Sequence, residues 1–446
     1  MKPEAVAAVP ASQLEASLVS VRDLRTYYSI RGSFADRLVG REAGIVRAVD
    51  GVSLDIRRGE VMGLVGESGS GKTTLGRTLL GLVRATSGSI EFEGQELSHL
   101  REPEWRALRR QIQVVFQDPH ASLNPAMTIE QAVGHPLQIH GLARNREQRR
   151  LRVIEVLERC GLAPGADFLA KYPSDLSGGQ KQRVVIARAI ILNPVLLVAD
   201  EPVSMLDMSV RAKILELMIA LKRDLELTYL YITHDLATAR FFCDRIAIMY
   251  LGRIVEVGPA EAIFADPKHP YTQALLRAIP EPDPERAVPR DLPRGEVPDA
   301  ALPPLGCPFH PRCSRAFEPC GWESRDLREL LETRWAHAAG AAGLEEEQAV
   351  VGDLSALARA TPEVRLAAPS GRRPEEIVAL LERIQAENPQ EPFWRGIEHI
   401  RATDTRMELD FHVPREPKLE RVGAVEVACH LYGTPEAGRE HGSKRS

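Results

Sequence analysis

The residues Gly66-Glu67-Ser68-Gly69-Ser70-Gly71-Lys72-Thr73 lie between an apolar run, Val61–Val65, and a helix-like run, Leu75–Leu82. A loop of the form G-x-x-x-x-G-K-S/T, set between a strand and a helix, leaves few folds open because it is a device for holding phosphate. Its glycines let the backbone curl so that successive N–H groups face inward. The helix starting near Lys72 adds the positive end of its dipole. Lys72 is expected to reach β- and γ-phosphate oxygens, and Thr73 to offer its hydroxyl to Mg²⁺. Gly66, Glu67, Ser68, Gly69, Ser70, Gly71 and Thr74 complete this candidate nucleotide-contact set. A Gly/Ser turn that binds nothing is the plain alternative, and the flanking strand and helix weigh against it.

Two further patterns narrow the class of nucleotide enzyme. Leu176-Ser177-Gly178-Gly179-Gln180 opens a second helical run, Val184–Ile191, and so presents another helix N-terminus with free N–H groups. Val195–Asp200, followed by Glu201, has the near-continuous apolar character of a buried parallel strand with acids at its end. Asp200 is placed to hold Mg²⁺ through water, and Glu201 to act as general base on the attacking water. Capping of the next helix is the alternative role for that acid pair.

With these motifs in this order, the chain resembles the ATP-binding subunits of ABC transporters. The resemblance implies that Leu176–Gln180 is the family's LSGGQ signature, capping the γ-phosphate of an ATP held by the opposite subunit through Ser177, Gly178, Gly179 and Gln180. It implies that Ser204-Met205-Leu206-Asp207 is the D-loop, with Met where Ala is commoner and Asp207 kept. Gln117 matches the Q-loop, whose glutamine reaches Mg²⁺ and the water. His234 matches the H-loop histidine that contacts the γ-phosphate. Tyr28 falls where the family stacks an aromatic ring on adenine, with Tyr27 one residue away as the alternative.

Composition sets the surroundings of this engine. At 446 residues the chain is long enough for two or three domains. A net charge of −5 offers no electrostatic footprint for nucleic acid. No apolar run approaches the ~20 residues that cross a bilayer, and Met1–Ser17 lacks the pattern of a secretory signal. The expected location is the cytoplasmic face of the membrane, held there by partner chains. Strand-like runs at 18–21, 51–56, 61–65, 88–92, 113–116, 196–199, 228–232 and 245–250 alternate with helical stretches, which predicts an α/β core with a mostly parallel sheet. Residues 251–258 read as the hairpin closing that domain. The expected divisions are a mobile tail at 1–16, a nucleotide-binding domain at 17–265 with a helical subdomain at about 118–183, an extension at 266–320, an insertion at 321–422, and the end of the extension with a tail at 423–446. Within the helical subdomain Arg146–Cys160 has 3.6-residue apolar spacing.

The extension carries His269-Pro270-Tyr271-Thr272, then Ala274-Leu275-Leu276, then Gly306-Cys307-Pro308-Phe309-His310-Pro311-Arg312-Cys313. It resembles the C-terminal region of oligopeptide and dipeptide importer ATPases. Gln117-Asp118-Pro119-His120-Ala121-Ser122-Leu123-Asn124-Pro125 is similar to the F-type of the paired ATPases in those systems. The resemblance implies a paralogous ATPase subunit, two transmembrane permease subunits and, indirectly, an extracytoplasmic binding protein as partners. Peptides are the implied cargo; nickel or sugars carried by the same machine, or a non-transport ABC ATPase, are the alternatives.

Cys160 and Cys243 sit in apolar helical contexts and read as buried small residues. Cys307, Cys313 and Cys320 cluster, and Cys429 stands about a hundred residues downstream in a V-A-C-H context. Members of the family with such a set imply a 4Fe-4S iron–sulfur cluster; zinc with His310 or His430 as a ligand, or plain thiols, are the other readings. The insertion is expected to be a small α/β unit. It should hold a helix from Pro374 to about Ala386, with Ile377, Leu380, Leu381 and Ile384 on one face, and an edge-like strand over Arg406–Val413. A docking or regulatory role and a solvated embellishment are both open for it.

Overall fold

The computed structural model describes residues 17–30, 44–279, 295–337 and 341–432. The tail expected at 1–16 and the one after 432 lie outside the described residues. The chain divides into two compact units, Met1–Ala265 and Asp266–Ser446.

The first unit is built around strands that are buried and largely apolar. β3 (Val61–Val65), β7 (Leu196–Asp200) and β8 (Thr228–Thr233) are buried along their whole length. Runs of this kind suit a parallel sheet covered on both faces. Together with β6 (Ile112–Val115), β9 (Arg245–Tyr250) and β10 (Arg253–Pro259) they give the order β10-β9-β3-β8-β7-β6. The parallel register sets Val61 opposite Tyr229, Leu196 opposite Thr228 and Ile112 opposite Leu196. β10 returns antiparallel to β9 through Leu251-Gly252. A second, wholly antiparallel sheet joins β2 (Ile45–Arg57), β1 (Ser17–Ser29), β4 (Ser87–Phe92) and β5 (Gln95–Glu96) in that order. The expectation of a mostly parallel core therefore holds for one sheet only. β1 and β2 mix buried and exposed positions, as strands do when one face meets water.

Helix α1 (Lys72–Leu79) leaves the phosphate loop directly, with Gly71 as its N-cap. The helical segment follows β6. In it α2 (Ile129–Ile139) starts at a Thr128/Gln131 capping box, and α3 (Arg146–Arg159) starts at Asn145, whose side chain accepts from Gln148 N–H. Both pack against α4 (Gly178–Ile190). α5 (Met208–Leu225) and α6 (Leu236–Phe242) follow β7 and β8.

The second unit opens with α7 (Pro270–Arg277), capped by the His269 side chain. Short turns carry the first three clustered cysteines. Then come α8 (Ser324–His337), α9 (Ala341–Val351), β11 (Glu363–Ala367), α10 (Pro374–Glu387), β12 (Ile397–Ala402) and β13 (Arg406–Phe411). α10 begins at Pro374 and buries Ile377, Leu380, Leu381 and Ile384. The strand at 406–411 departs from expectation. It is the central strand of the sheet β11-β13-β12, not an edge. Its alternation suggested one wet side; instead Met407, Leu409 and Phe411 are buried, and Glu408 sits in ion pairs with Arg401 and Arg406. Trp322, Phe393, Trp394 and Phe411 stack edge to face in this unit's core. The hairpin β14 (Glu420–Val422) and β15 (Val425–Val427) leads to Cys429.

Candidate active site

The phosphate loop is shaped by what surrounds its glycines. A Cβ on Gly66 would lie 2.2 Å from the Met249 carbonyl oxygen, and one on Gly71 only 2.0 Å from that of Ala48. Gly71 also has φ 101°, which L side chains rarely adopt. No larger residue fits either place. The loop is stitched to its neighbours by Gly252 N–H, which donates to Ser70 O at 2.9 Å, while Asp50 N–H donates to Gly252 O at 2.8 Å. Lys72 is buried and its ammonium donates to Gly66 O at 2.9 Å, Glu67 O at 2.8 Å and Ser70 Oγ at 3.3 Å. Burial pulls its pKa down, opposed by the carboxylates of Glu201, Asp200 and Glu67.

Beside the loop, Thr73 Oγ1 donates to Asp200 Oδ1 at 3.2 Å. Burial raises the Asp200 pKa and the neighbouring Glu201 adds to the rise, while Thr73 works against it. Glu201 has a left-handed φ of 48°, and its N–H donates to Ile232 O at 2.9 Å. Its carboxylate is gripped from two sides. Gln117 Nε2 donates to Oε2 at 2.9 Å, and His234 Nδ1 lies 2.9 Å from Oε1. Gln117, Glu201 and His234 each follow a parallel strand, β6, β7 and β8, and these strands are neighbours. Sequence reading named all three residues; that they meet on one carboxylate is visible only in three dimensions.

The other named residues have separate settings. Ser177 caps α4 through a reciprocal pair: Gln180 N–H donates to Ser177 Oγ at 3.3 Å, and Ser177 N–H to Gln180 Oε1 at 3.0 Å. Gly178 follows as the first residue of α4. A Cβ on Gly179 would meet Val210 Cγ1 at 2.7 Å, so the signature turn sits close against α5. Asp207 caps α5 by accepting from Val210 N–H at 3.0 Å. Met205 and Met208, on either side, are 61% and 85% exposed. Tyr28 is exposed on β1 and pairs with Val46, two residues from the Ala48 that touches Gly71. Tyr27 is tied down by its hydroxyl, which donates to Asp50 Oδ1 at 2.5 Å.

In the second unit Cys307, Cys313, Cys320 and Cys429 line one small cavity, so Cys429 returns to the other three across the intervening hundred residues. Cys307 N–H donates to Cys320 O at 2.8 Å. Burial, reinforced by the neighbouring thiols, pushes Cys313 to about 11 and Cys320 to about 12. Among the described residues no three His, Cys, Asp or Glu side chains are set to hold a metal ion. Both ring nitrogens of His310 are engaged: Nδ1 faces Cys307 O at 2.9 Å and Nε2 faces Asp326 Oδ2 at 3.1 Å. Cys160 and Cys243 are buried, as expected of small core residues.

Comparison with known proteins identifies the family. Residues 49–204 match the family model described as ABC transporter, and residues 255–320 match the oligopeptide/dipeptide transporter C-terminal region. A putative peptide import ATP-binding protein of Brucella ovis is 45% identical over 71% of this chain and 95% of its own. The oligopeptide transport ATP-binding protein AppF of Bacillus subtilis is 44% identical over 72% and 96%. A solved dimeric ATP-binding cassette, MJ0796 bound to ADP and Pi, aligns with TM-score 0.48 and 31% identity over 54% of this chain and 98% of its own. The fold is that of an ABC-type ATPase. Within that class, the chain belongs to the ATP-binding subunits of the oligopeptide/dipeptide transporters. Because 71% of this chain accounts for 95% of the Brucella relative, it also carries residues that relative lacks.

Proposed function

We propose that this chain binds ATP with Mg²⁺ and hydrolyses it as one half of a subunit pair that powers a peptide importer. The observation carrying this reading is the convergence of Gln117 and His234 on Glu201, next to Thr73–Asp200 and the phosphate loop. In the proposed cycle the loop's N–H groups and the Lys72 ammonium hold the phosphate oxygens. Glu201 takes a proton from the attacking water, positioned by Gln117, while His234 stands at the γ-phosphate. Mg²⁺, held by Thr73, by Asp200 through water and by Gln117, would neutralise the phosphate charge; a site of hydroxyl, water and phosphate oxygens needs no cluster of protein carboxylates. Ser177, Gly178, Gly179 and Gln180 would cap the ATP of the partner subunit, with Asp207 at the seam and Tyr28 against adenine. Nucleotide binding would close the pair and drive the permeases.

Peptide cargo rests on the names of the relatives. The partners in this reading are a paralogous ATPase subunit, two permease subunits and an indirect binding protein, with the chain peripheral on the cytoplasmic face. No helix among the described residues is long and apolar enough to cross a membrane. Mg²⁺-dependent phosphate release by the purified chain, and its recovery with permeases in a membrane complex, test the reading. A chain that binds no ATP, or that never partners a permease, overturns it.

The finer proposal is that the four cysteines hold a 4Fe-4S cluster. A single zinc needs all its thiolates about 2.3 Å from one point, whereas in a cubane each cysteine binds a different iron and the thiols stand wider apart. The cavity shared by Cys307, Cys313, Cys320 and Cys429 is the observation this reading rests on. Iron and sulfide analysis of anaerobically purified protein decides it; a colourless, iron-free chain refutes it. The segment 321–422 is proposed as a unit added to the family pattern.

A further inference from the structure

Arg211, in the first turn of α5, stands apart from the phosphate loop, yet each arm of its guanidinium reaches a different partner. Nε donates to Leu206 O at 2.8 Å and Nη2 to Ser204 O at 3.3 Å, while Nη1 lies 3.7 Å from Asp235 Oδ2. Two of these partners belong to the turn that follows Glu201, and the third is the residue after His234. The planar fork of an arginine can serve several acceptors in a fixed geometry, which the point charge of a lysine on its flexible stem cannot do.

These contacts lead back to Glu201 by two routes. Ser204 donates to the Glu201 carbonyl with its N–H, at 3.2 Å, and with its hydroxyl, at 3.1 Å. The residue whose carbonyl Arg211 holds is thus bonded directly to Glu201. On the other side Asp235 follows His234, whose Nδ1 lies 2.9 Å from Glu201 Oε1. Asp235 is itself fixed: its N–H donates to Thr233 Oγ1, and its Oδ1 accepts from Ala237 and Thr238 N–H. Glu201 needs such bracing. Its φ of 48° is one that a residue with a side chain adopts at a cost, and a residue held there persists only where its surroundings over-determine it. The Arg211–Asp235 arm is long and partly exposed, and ion pairs of that kind contribute little. The two carbonyl bonds carry the bracing.

We propose that Arg211 is a positioning residue for hydrolysis. By holding the Ser204 and Leu206 carbonyls it keeps the turn after β7 in the shape that aims the Glu201 carboxylate. It acts through Glu201 alone and has no contact of its own with phosphate or with the attacking water. The inference rests on the proposed general-base role of Glu201. Hydrolysis asks two things of this end of the sheet, holding ATP and aiming the base, and Arg211 serves the second.

The test compares the full chain with Arg211→Gln, Glu201→Gln and the double variant, each given Mg²⁺ and ATP. Arg211→Gln should lower kcat about tenfold, with ATP affinity within about threefold of the parent. In the Glu201→Gln background, followed by single-turnover phosphate release, the same change should cost nothing further, because no base is left to aim. A general weakening of the fold would instead lower affinity and turnover together and add in both backgrounds. Turnover of Arg211→Gln within twofold of the parent, or an equal loss in the Glu201→Gln background, overturns the proposal. Should the neutral variant melt early, Arg211→Lys carries the test. It keeps the charge beside Asp235 and loses the fork, so the same kcat-selective loss is expected, and parent-like turnover overturns the proposal. A Glu201→Gln chain that turns over like the parent fails the general-base reading underneath. An inactive Glu201→Gln beside a parent-like Arg211→Gln fails this inference alone.

Discussion

Replacing Glu201 by glutamine isolates the proton-accepting role from everything else the residue does. The amide is isosteric with the carboxylate. Its oxygen can still accept from Gln117 Nε2, and its NH₂ can donate across the 2.9 Å to His234 Nδ1 when the imidazole carries its proton on Nε2. Both contacts of the resting site survive, and so should the ATP-binding geometry. What disappears is a base able to take a proton from water. General-base catalysis is worth about 10²–10⁴-fold, or about 3–5 kcal/mol of barrier at 1.36 kcal/mol per tenfold. The loss should fall on kcat, with nucleotide affinity within severalfold of the parent. Steady-state phosphate release and equilibrium ATP titration on the same preparation measure the two quantities, and size-exclusion chromatography with ATP should show accumulation of a closed dimer. Turnover within tenfold of the parent would refute Glu201 as the base. Intact fold with lost ATP binding would refute the geometry.

Lys72→Ala removes an ammonium with three close oxygen acceptors and should weaken ATP binding by tenfold or more, about 1.4 kcal/mol per factor of ten, as read by calorimetry. Gly71→Ala places a Cβ 2.0 Å from the Ala48 carbonyl and should lower the melting temperature and abolish nucleotide binding together. Asp50 is buried, which disfavours its charge, but hydrogen bonds from Tyr27 and Arg253 prevail and hold its carboxyl below the usual range. A depressed carboxyl stabilises the fold above its unfolded pKa of about 3.9 and loses that contribution as pH falls through the folded value. Asp50→Asn should therefore cost about 1–3 kcal/mol at pH 7, with the difference from the parent closing below about pH 4 in thermal melts. Deleting 325–420 behind a short linker should spare ATP binding and hydrolysis. It strips Asp326 from His310 and Phe393 from Trp322, so limited proteolysis should find the cysteine region loosened.

Legibility in the sequence followed how local each signal is. β3 and β9 have the bounds their apolar runs suggested, and α3 ends one residue before Cys160, its C-cap. The phosphate loop, the signature turn and the acid pair are short, contiguous chemistry, so their residues could be named before their partners were known. Relations across the chain were not legible. Nothing local announces that Met249 and Ala48 would wall in the glycines, or that Gln117 and His234 would share Glu201. β13 was misplaced because alternation reports which faces are wet, and an ion-paired Glu408 looks in sequence like a solvated one.

The four strand ends that carry the phosphate loop, His234, Glu201 and Gln117 belong to β3, β8, β7 and β6, consecutive members of one parallel ladder. Adjacent strands in any sheet stand about 4.8 Å apart, fixed by the length of the backbone hydrogen bond. The ladder therefore acts as a ruler. It sets the intervals between the groups proposed to hold phosphate and the group proposed to activate water, and no side chain in the interior is needed to set them. Apolar residues within these strands can drift in identity so long as the ladder stays closed. A single slip of register between β7 and β8 would move a carboxylate by a whole residue and silence the enzyme with every motif still present.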